Sequence, residues 1–96
     1  MKKTNEYYEK RAQIAKAIAH PTRLVLIDAL AAGERCVCDL NSLVAVDQST
    51  LSKHLAVLKN AGIIVDTKKG LNVYYRLKCA CVLSFFECAT GVLLGK

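Results

Sequence analysis

Ninety-six residues make one small domain, 1–96, just below the usual domain size of about 100–150 residues. Hydrophobic residues are 53% of it, more than so short a chain absorbs in its own core, which predicts a subunit interface; no apolar run nears the roughly 18 residues of a membrane span. The charge is +6, from 14 basic and 8 acidic residues, and the start Met1-Lys2-Lys3-Thr4-Asn5-Glu6 lacks the apolar middle of a signal peptide, so a cytoplasmic protein without membrane contact is expected.

Taken in chain order, residues 5–19 place Tyr7, Tyr8, Ile14, Ala15, Ile18 and Ala19 at helical spacing, a first amphipathic helix. Pro21, tolerated in a first turn, opens a second helix that runs through Leu24, Ile27, Leu30 and Ala31 to a stop at Gly33. Cys36 to Val44 forms a short third helix, with Val37, Leu40, Leu43 and Val44 expected to face inward. After the turn Ala45-Val46-Asp47 comes the clearest helix, 48–61, with Leu51, Leu55 and Leu58 on one stripe and Gly62 at its end. The period then changes. Ile63-Ile64-Val65, a turn at Lys68-Lys69-Gly70 and Val73–Leu77 form a β-hairpin over 63–77. A last apolar helix, about 79–94, completes the order α-α-α-α-β-β-α.

Two short helices joined by a tight turn, the second polar on one face, are the helix-turn-helix pattern. Ser49, Thr50, Ser52, Lys53, Ala56, Lys59 and Asn60 lie off the leucine stripe, and Ser, Thr and Asn side chains read base edges while Lys suits phosphates. A solvated helix or a charged hairpin alone would carry little meaning. Here a basic hairpin follows the polar helix directly, and Lys53, Lys59, Lys68, Lys69, Arg76 and Lys78 stand against Asp66 alone between positions 53 and 78. A polyanionic partner, DNA, is the expectation. Paired carboxylates, a Ser-His-Asp set and a phosphate-cradling glycine loop are all missing from the pattern, so no enzyme is expected.

The stretches Ala19-His20-Pro21-Thr22-Arg23-Leu24, Cys36-Val37-Cys38-Asp39-Leu40, Gln48-Ser49-Thr50-Leu51-Ser52-Lys53-His54-Leu55 and Leu58-Lys59-Asn60-Ala61-Gly62-Ile63-Ile64 resemble the ArsR/SmtB winged-helix repressors over nearly the whole chain. The resemblance implies a mainly α winged helix-turn-helix fold with a β-hairpin wing. It also implies a homodimer built on the first and last helices, and repression of an operator relieved by an effector. Carried over by position, Gln48, Ser49, Thr50, Ser52, Lys53 and His54 match the recognition helix, and Lys68, Lys69 and Asn72 the wing. His54, at the edge of the polar face, suits a DNA contact or a bracing hydrogen bond better than a metal; His20, before Pro21, suits a helix cap.

Five cysteines without an export signal suggest metal ligands, redox sensors or packing rather than structural disulfides. Cys36 and Cys38, two apart, share no helix face, so both sulfurs meet one ion only at a helix start or bend; thiolates select soft ions. The pair resembles the family's arsenic- and antimony-sensing motif, which implies As(III) or Sb(III) as inducer, with another thiophilic ion as the alternative, and no constitutive cofactor. The third cysteine usual in such motifs is replaced by Asn41, no cysteine precedes Cys36, and the family's zinc set on the last helix is absent. A missing third thiol is therefore sought on the last helix, first at Cys81. Cys81 and Cys88, seven residues apart, share a face with Phe85 and Val92, and Cys79 falls opposite them at about 100° per residue; they are packing residues, the missing ligand or a second site. A redox or persulfide sensor is the alternative, although a Cys36–Cys38 disulfide closes a small ring, and Cys81 and Cys88 stand about 10 Å apart along one helix. A metal-sequestering protein would leave the basic wing unexplained.

Overall fold

The computed structural model describes residues 3–95; Met1, Lys2 and Lys96, which belong to the expected N-terminal start and to the 1–96 span, lie outside the described residues. Helices α1 (Asn5–Ile18) and α2 (Pro21–Ala31) are followed by a two-residue strand β1 (Arg35–Cys36), α3 (Val37–Leu43) and α4 (Gln48–Asn60). A hairpin of β2 (Ile64–Lys69) and β3 (Asn72–Leu77) then leads to α5 (Cys81–Leu93). The fold is mainly helical, with one antiparallel sheet in the order β1-β3-β2.

Local chemistry starts each of the first four helices. Thr4, His20, Cys36 and Asp47 occupy their N-caps, and each side chain accepts a backbone N–H of the first turn, satisfying donors that the helix itself leaves unpaired. His20 Nδ1 accepts from Thr22 N at 3.1 Å, the cap its place before Pro21 suggests. At the far end of α4, Gly62 takes φ +79°, and Ile63 N donates to Leu58 O at 3.0 Å. That is a Schellman closure, in which the flanking apolar pair, here buried Leu58 and Ile63, packs together.

The core gathers Leu26, Ile27 and Leu30 of α2, Leu40 of α3, the α4 leucines 51, 55 and 58, and Ile63 and Ile64. From the outer helices it receives only Ala17 and Val82 as buried residues. Leu43, expected inward, is exposed instead: α3 ends at that residue, and only Leu40, Val37 and Val44 reach the core.

The hairpin differs from its sequence reading in two ways. Its loop is Gly70-Leu71, because Lys69 pairs with Asn72 across the strands, and Gly70 at φ +65° opens a two-residue turn of the glycine-first kind. Lys68 and Lys69 therefore lie on β2 rather than in the turn. The sheet also gains β1, whose Arg35 and Cys36 pair with Tyr75 and Tyr74. A two-residue strand is too short to show an alternating pattern.

Candidate nucleic-acid interface and thiol site

The α3–turn–α4 unit presents α4 with its leucines inward and a polar face outward. Asp47 anchors its start: one carboxylate oxygen accepts from Thr50 N at 2.7 Å and from the Ser49 hydroxyl at 3.0 Å. These bonds, the Thr50 backbone first, hold the Asp47 carboxyl below its ordinary value. Ser49 is thus engaged at the cap and Thr50 is half-buried. Gln48, Ser52 and Lys53 are exposed, with Gln48 and Ser52 one turn apart on the same side of the helix. Among the expected recognition residues they are the side chains left facing outward without an intramolecular partner among the described residues.

His54 faces the body of the protein instead. Its Nδ1 accepts from Arg23 Nε at 3.1 Å, and its ring lies 4.5 Å from that of His20, tilted by 50°. Of the two roles read from its position, the bracing bond is the one formed, and it joins α4 to α2. Arg23 also donates to the Lys16 and Ala17 carbonyls, both at 3.1 Å, so one guanidinium ties α1, α2 and α4 together. Desolvation, then the charges of His20 and Arg23, push the His54 pKa down. A neutral ring is what an Arg23 donor needs. The brace joins residues 31 apart, so no local pattern could have announced it.

The wing is basic but partly neutralised. Lys59 pairs with Asp66 at 3.1 Å, and Lys69 with Glu34 at 2.5 Å, while Lys69 also stands 5.1 Å from the Tyr74 ring centre. Glu34 precedes β1, so it reaches the wing only through the strand the sequence did not reveal. Lys53, Lys68, Arg76 and Lys78 have no ion pair among the described residues and remain to meet an anion.

Cys36 and Cys38 sit at the junction of sheet and helix. Cys36 closes β1, is 7% exposed, and caps α3 through its sulfur, which accepts from Asp39 N at 3.4 Å. Cys38, one residue into α3, is exposed. The helix start is where a pair two apart must lie for both sulfurs to meet. The two are joined as a disulfide with Cα atoms 5.4 Å apart, inside the range such bonds span. Cys36 is extended, at φ −77° and ψ 161°, and the chain turns into helix between them, which brings the two sulfurs together across the small ring. The two sulfurs and an Asp39 oxygen lie within 4.8 Å of one another.

The last helix does not complete that cluster. Cys36 pairs with Tyr74, and β3 carries the chain about 10 Å further by Leu77 before α5 begins. Cys81 is absent from the one three-ligand group among the described residues, so the expected third thiol is not assembled within this chain. Cys81, Phe85, Cys88 and Val92 do share an exposed face. Cys79, placed opposite Cys81 by helical phase, is not in the helix at all: α5 starts at Cys81, and the Cys79 and Cys81 sulfurs lie 3.1 Å apart.

A core of helices, a helix-turn-helix and a three-stranded wing define a winged-helix protein. Residues 20–65 match a family model described as bacterial regulatory protein, arsR family. An HTH-type transcriptional regulator of Methanocaldococcus jannaschii is 46% identical over 72 residues, covering 73% of this chain and 81% of that protein. The arsenical resistance operon repressor of Escherichia coli is 42% identical over 66 residues, 68% of this chain and 56% of that repressor. The homodimeric winged helix-turn-helix DNA-binding domain Mb0332 of Mycobacterium bovis superimposes with a TM-score of 0.82 at 28% identity, over 97% of this chain and 86% of that one. The chain belongs to the ArsR family of transcriptional repressors.

Proposed function

We propose that the chain acts as a homodimer that holds operator DNA through α4 and the wing and releases it when Cys36 and Cys38 take up trivalent arsenic or antimony. The observation that carries this reading is the position of the thiol pair. Cys36 belongs at once to β1, paired with the wing strand β3 at Tyr74, and to the cap of α3, the helix just before the reader. An ion that draws both sulfurs to itself removes the cap acceptor and pulls on the wing at the same residue. The arsenical repressor among the relatives and the soft-ion preference of thiolates favour As(III) or Sb(III). Two protein sulfurs leave one position of a pyramidal centre, which a small thiol fills better than the hard Asp39 oxygen.

A redox reading uses the same sulfurs, and their bonding to each other favours it: an oxidant such as peroxide would take two electrons and two protons, leaving the disulfide and water. A mobility-shift assay on the promoter separates the two. Arsenite should weaken operator binding by about 5–150-fold, the usual span of a coupling between sites. Cys36→Ser and Cys38→Ser should each bind operator normally and stay bound in arsenite. Full release of a Cys36→Ser dimer by arsenite overturns the thiol site. Release by peroxide and not by arsenite selects the redox reading.

A further inference from the structure

The Cys36-Val37-Cys38 arrangement occurs twice. Cys79-Ala80-Cys81 likewise lies where a strand, β3, gives way to a helix, α5. The sulfurs of this second pair are 3.1 Å apart, with Cys79 half-buried and Cys81 exposed. We propose that Cys79 and Cys81 form a second chelating site for one trivalent metalloid, independent of Cys36 and Cys38.

Geometry selects the ligand class. Zinc held by sulfurs at about 2.3 Å in a tetrahedron spreads two of them to about 3.8 Å, and a linear two-coordinate ion spreads them further. A pyramidal centre with bond angles close to a right angle accepts the closer spacing found here. No histidine or carboxylate joins the pair in a three-ligand cluster among the described residues, so the site offers two soft donors and nothing else. The pair is also held ready. Lys78 N and Cys79 N both donate to Ile63 O, at 2.8 and 3.1 Å, fixing one end to the chain before β2. Val82 N donates to Cys79 O at 3.4 Å, fixing the other to the first turn of α5.

Phenylarsine oxide is the suitable probe, since its As(III) has two exchangeable positions. Both thiols attack arsenic, two As–S bonds form, the arsenic–oxygen bond breaks, and the oxygen leaves as water with the two thiol protons. No electrons are exchanged. Reduced protein, freed of small thiols, is titrated with the reagent and weighed intact by native mass spectrometry. Two adducts per chain are expected for the unmodified protein. One is expected for Cys36→Ser/Cys38→Ser, one for Cys79→Ser/Cys81→Ser, two for Cys88→Ser, and none when both pairs are changed. Loss of all binding in Cys36→Ser/Cys38→Ser, or its survival there only while Cys88 is present, overturns the second site. Failure of the first site would instead leave a single adduct that only Cys79→Ser/Cys81→Ser abolishes. The readout by gain in the Cys36→Ser/Cys38→Ser protein stands even if the α5 variant misfolds.

Discussion

At the scale of single residues, the two wing lysines next to one another in sequence are not equivalent. Lys68 has no ion pair among the described residues, whereas Lys69 is held by Glu34 and stands by the Tyr74 ring. A lysine that already has a counter-charge displaces fewer counterions on meeting a phosphate. Lys68→Ala should therefore lower the slope of log K against log salt by about 1 on any DNA, and Lys69→Ala by clearly less. Equal slopes for the two variants would show that Glu34 lets go on binding. Ser52→Ala and Gln48→Ala, by contrast, should each erode operator preference by about 1–3 kcal/mol by removing a hydrogen bond to a base edge, measured as the ratio of operator to random-sequence affinity. His54 gives a pH signature. Folding lowers its pKa, burial first, so the unfolded chain takes up the proton before the folded one does. Stability is full above the ordinary histidine value of about 6.5 and falls as pH drops through it. Melting temperature should decline from pH 7.5 to 5.5 (approximate bounds around that value), and less steeply in His54→Gln, whose amide oxygen still accepts from Arg23. Coincident profiles would assign the decline to other groups. The polar face of α4 and the Cys36–Cys38 pair can be read from the sequence because their spacing is local. Glu34 on the wing and Arg23 on His54 cannot, since each pairing waits for a fold that brings distant residues together.

At the scale of elements, α4 is the most legible, with its leucine stripe, Asp47 before it and Gly62 after it all within reach of one another. The closure at Gly62 is testable on its own terms. A β-carbon there meets open space, yet φ +79° is left-handed backbone that costs an L-residue about 1–2 kcal/mol. Gly62→Ala should lose that much in denaturant unfolding, and a neutral result would mean that the α4–β2 corner relaxes into another conformation. Leu55→Ala, on the buried stripe of α4, should cost about 2–5 kcal/mol through the cavity it leaves. The elements that the sequence misplaces share one cause. The β1 strand is two residues long, and the sequence puts the start of α5 at Cys79 because apolar residues continue unbroken through Ala80. Periodicity marks the body of a helix better than its first turn, and Ala80 offers no side-chain cap to announce the true start. That two-residue error hides the second sulfur pair.

At the scale of the whole molecule, much of the exposed apolar surface is on the outer helices. Phe85 is 61% exposed and Val92 79% on α5, and Tyr8 and Ile14 are exposed on α1. Exposed apolar side chains of that kind are what a second copy would cover. Phe85→Glu should shift the sedimentation equilibrium from dimer to monomer and abolish operator binding, while the core, which does not include Phe85, keeps the helix content. A variant that remains dimeric would place the interface elsewhere. The expectation of an interface from apolar excess in a short chain needs no periodicity, only the mismatch between composition and size. The bare face of α5 also bears on dosage. If each copy leaves its apolar surface open until it meets another, the operator is served only by pairs. Below the dimerisation constant, a tenfold fall in the number of chains thins the pairs about a hundredfold by mass action. Dilution at cell division or slowed synthesis would then lift repression far more steeply than a monomeric reader allows, with no inducer present.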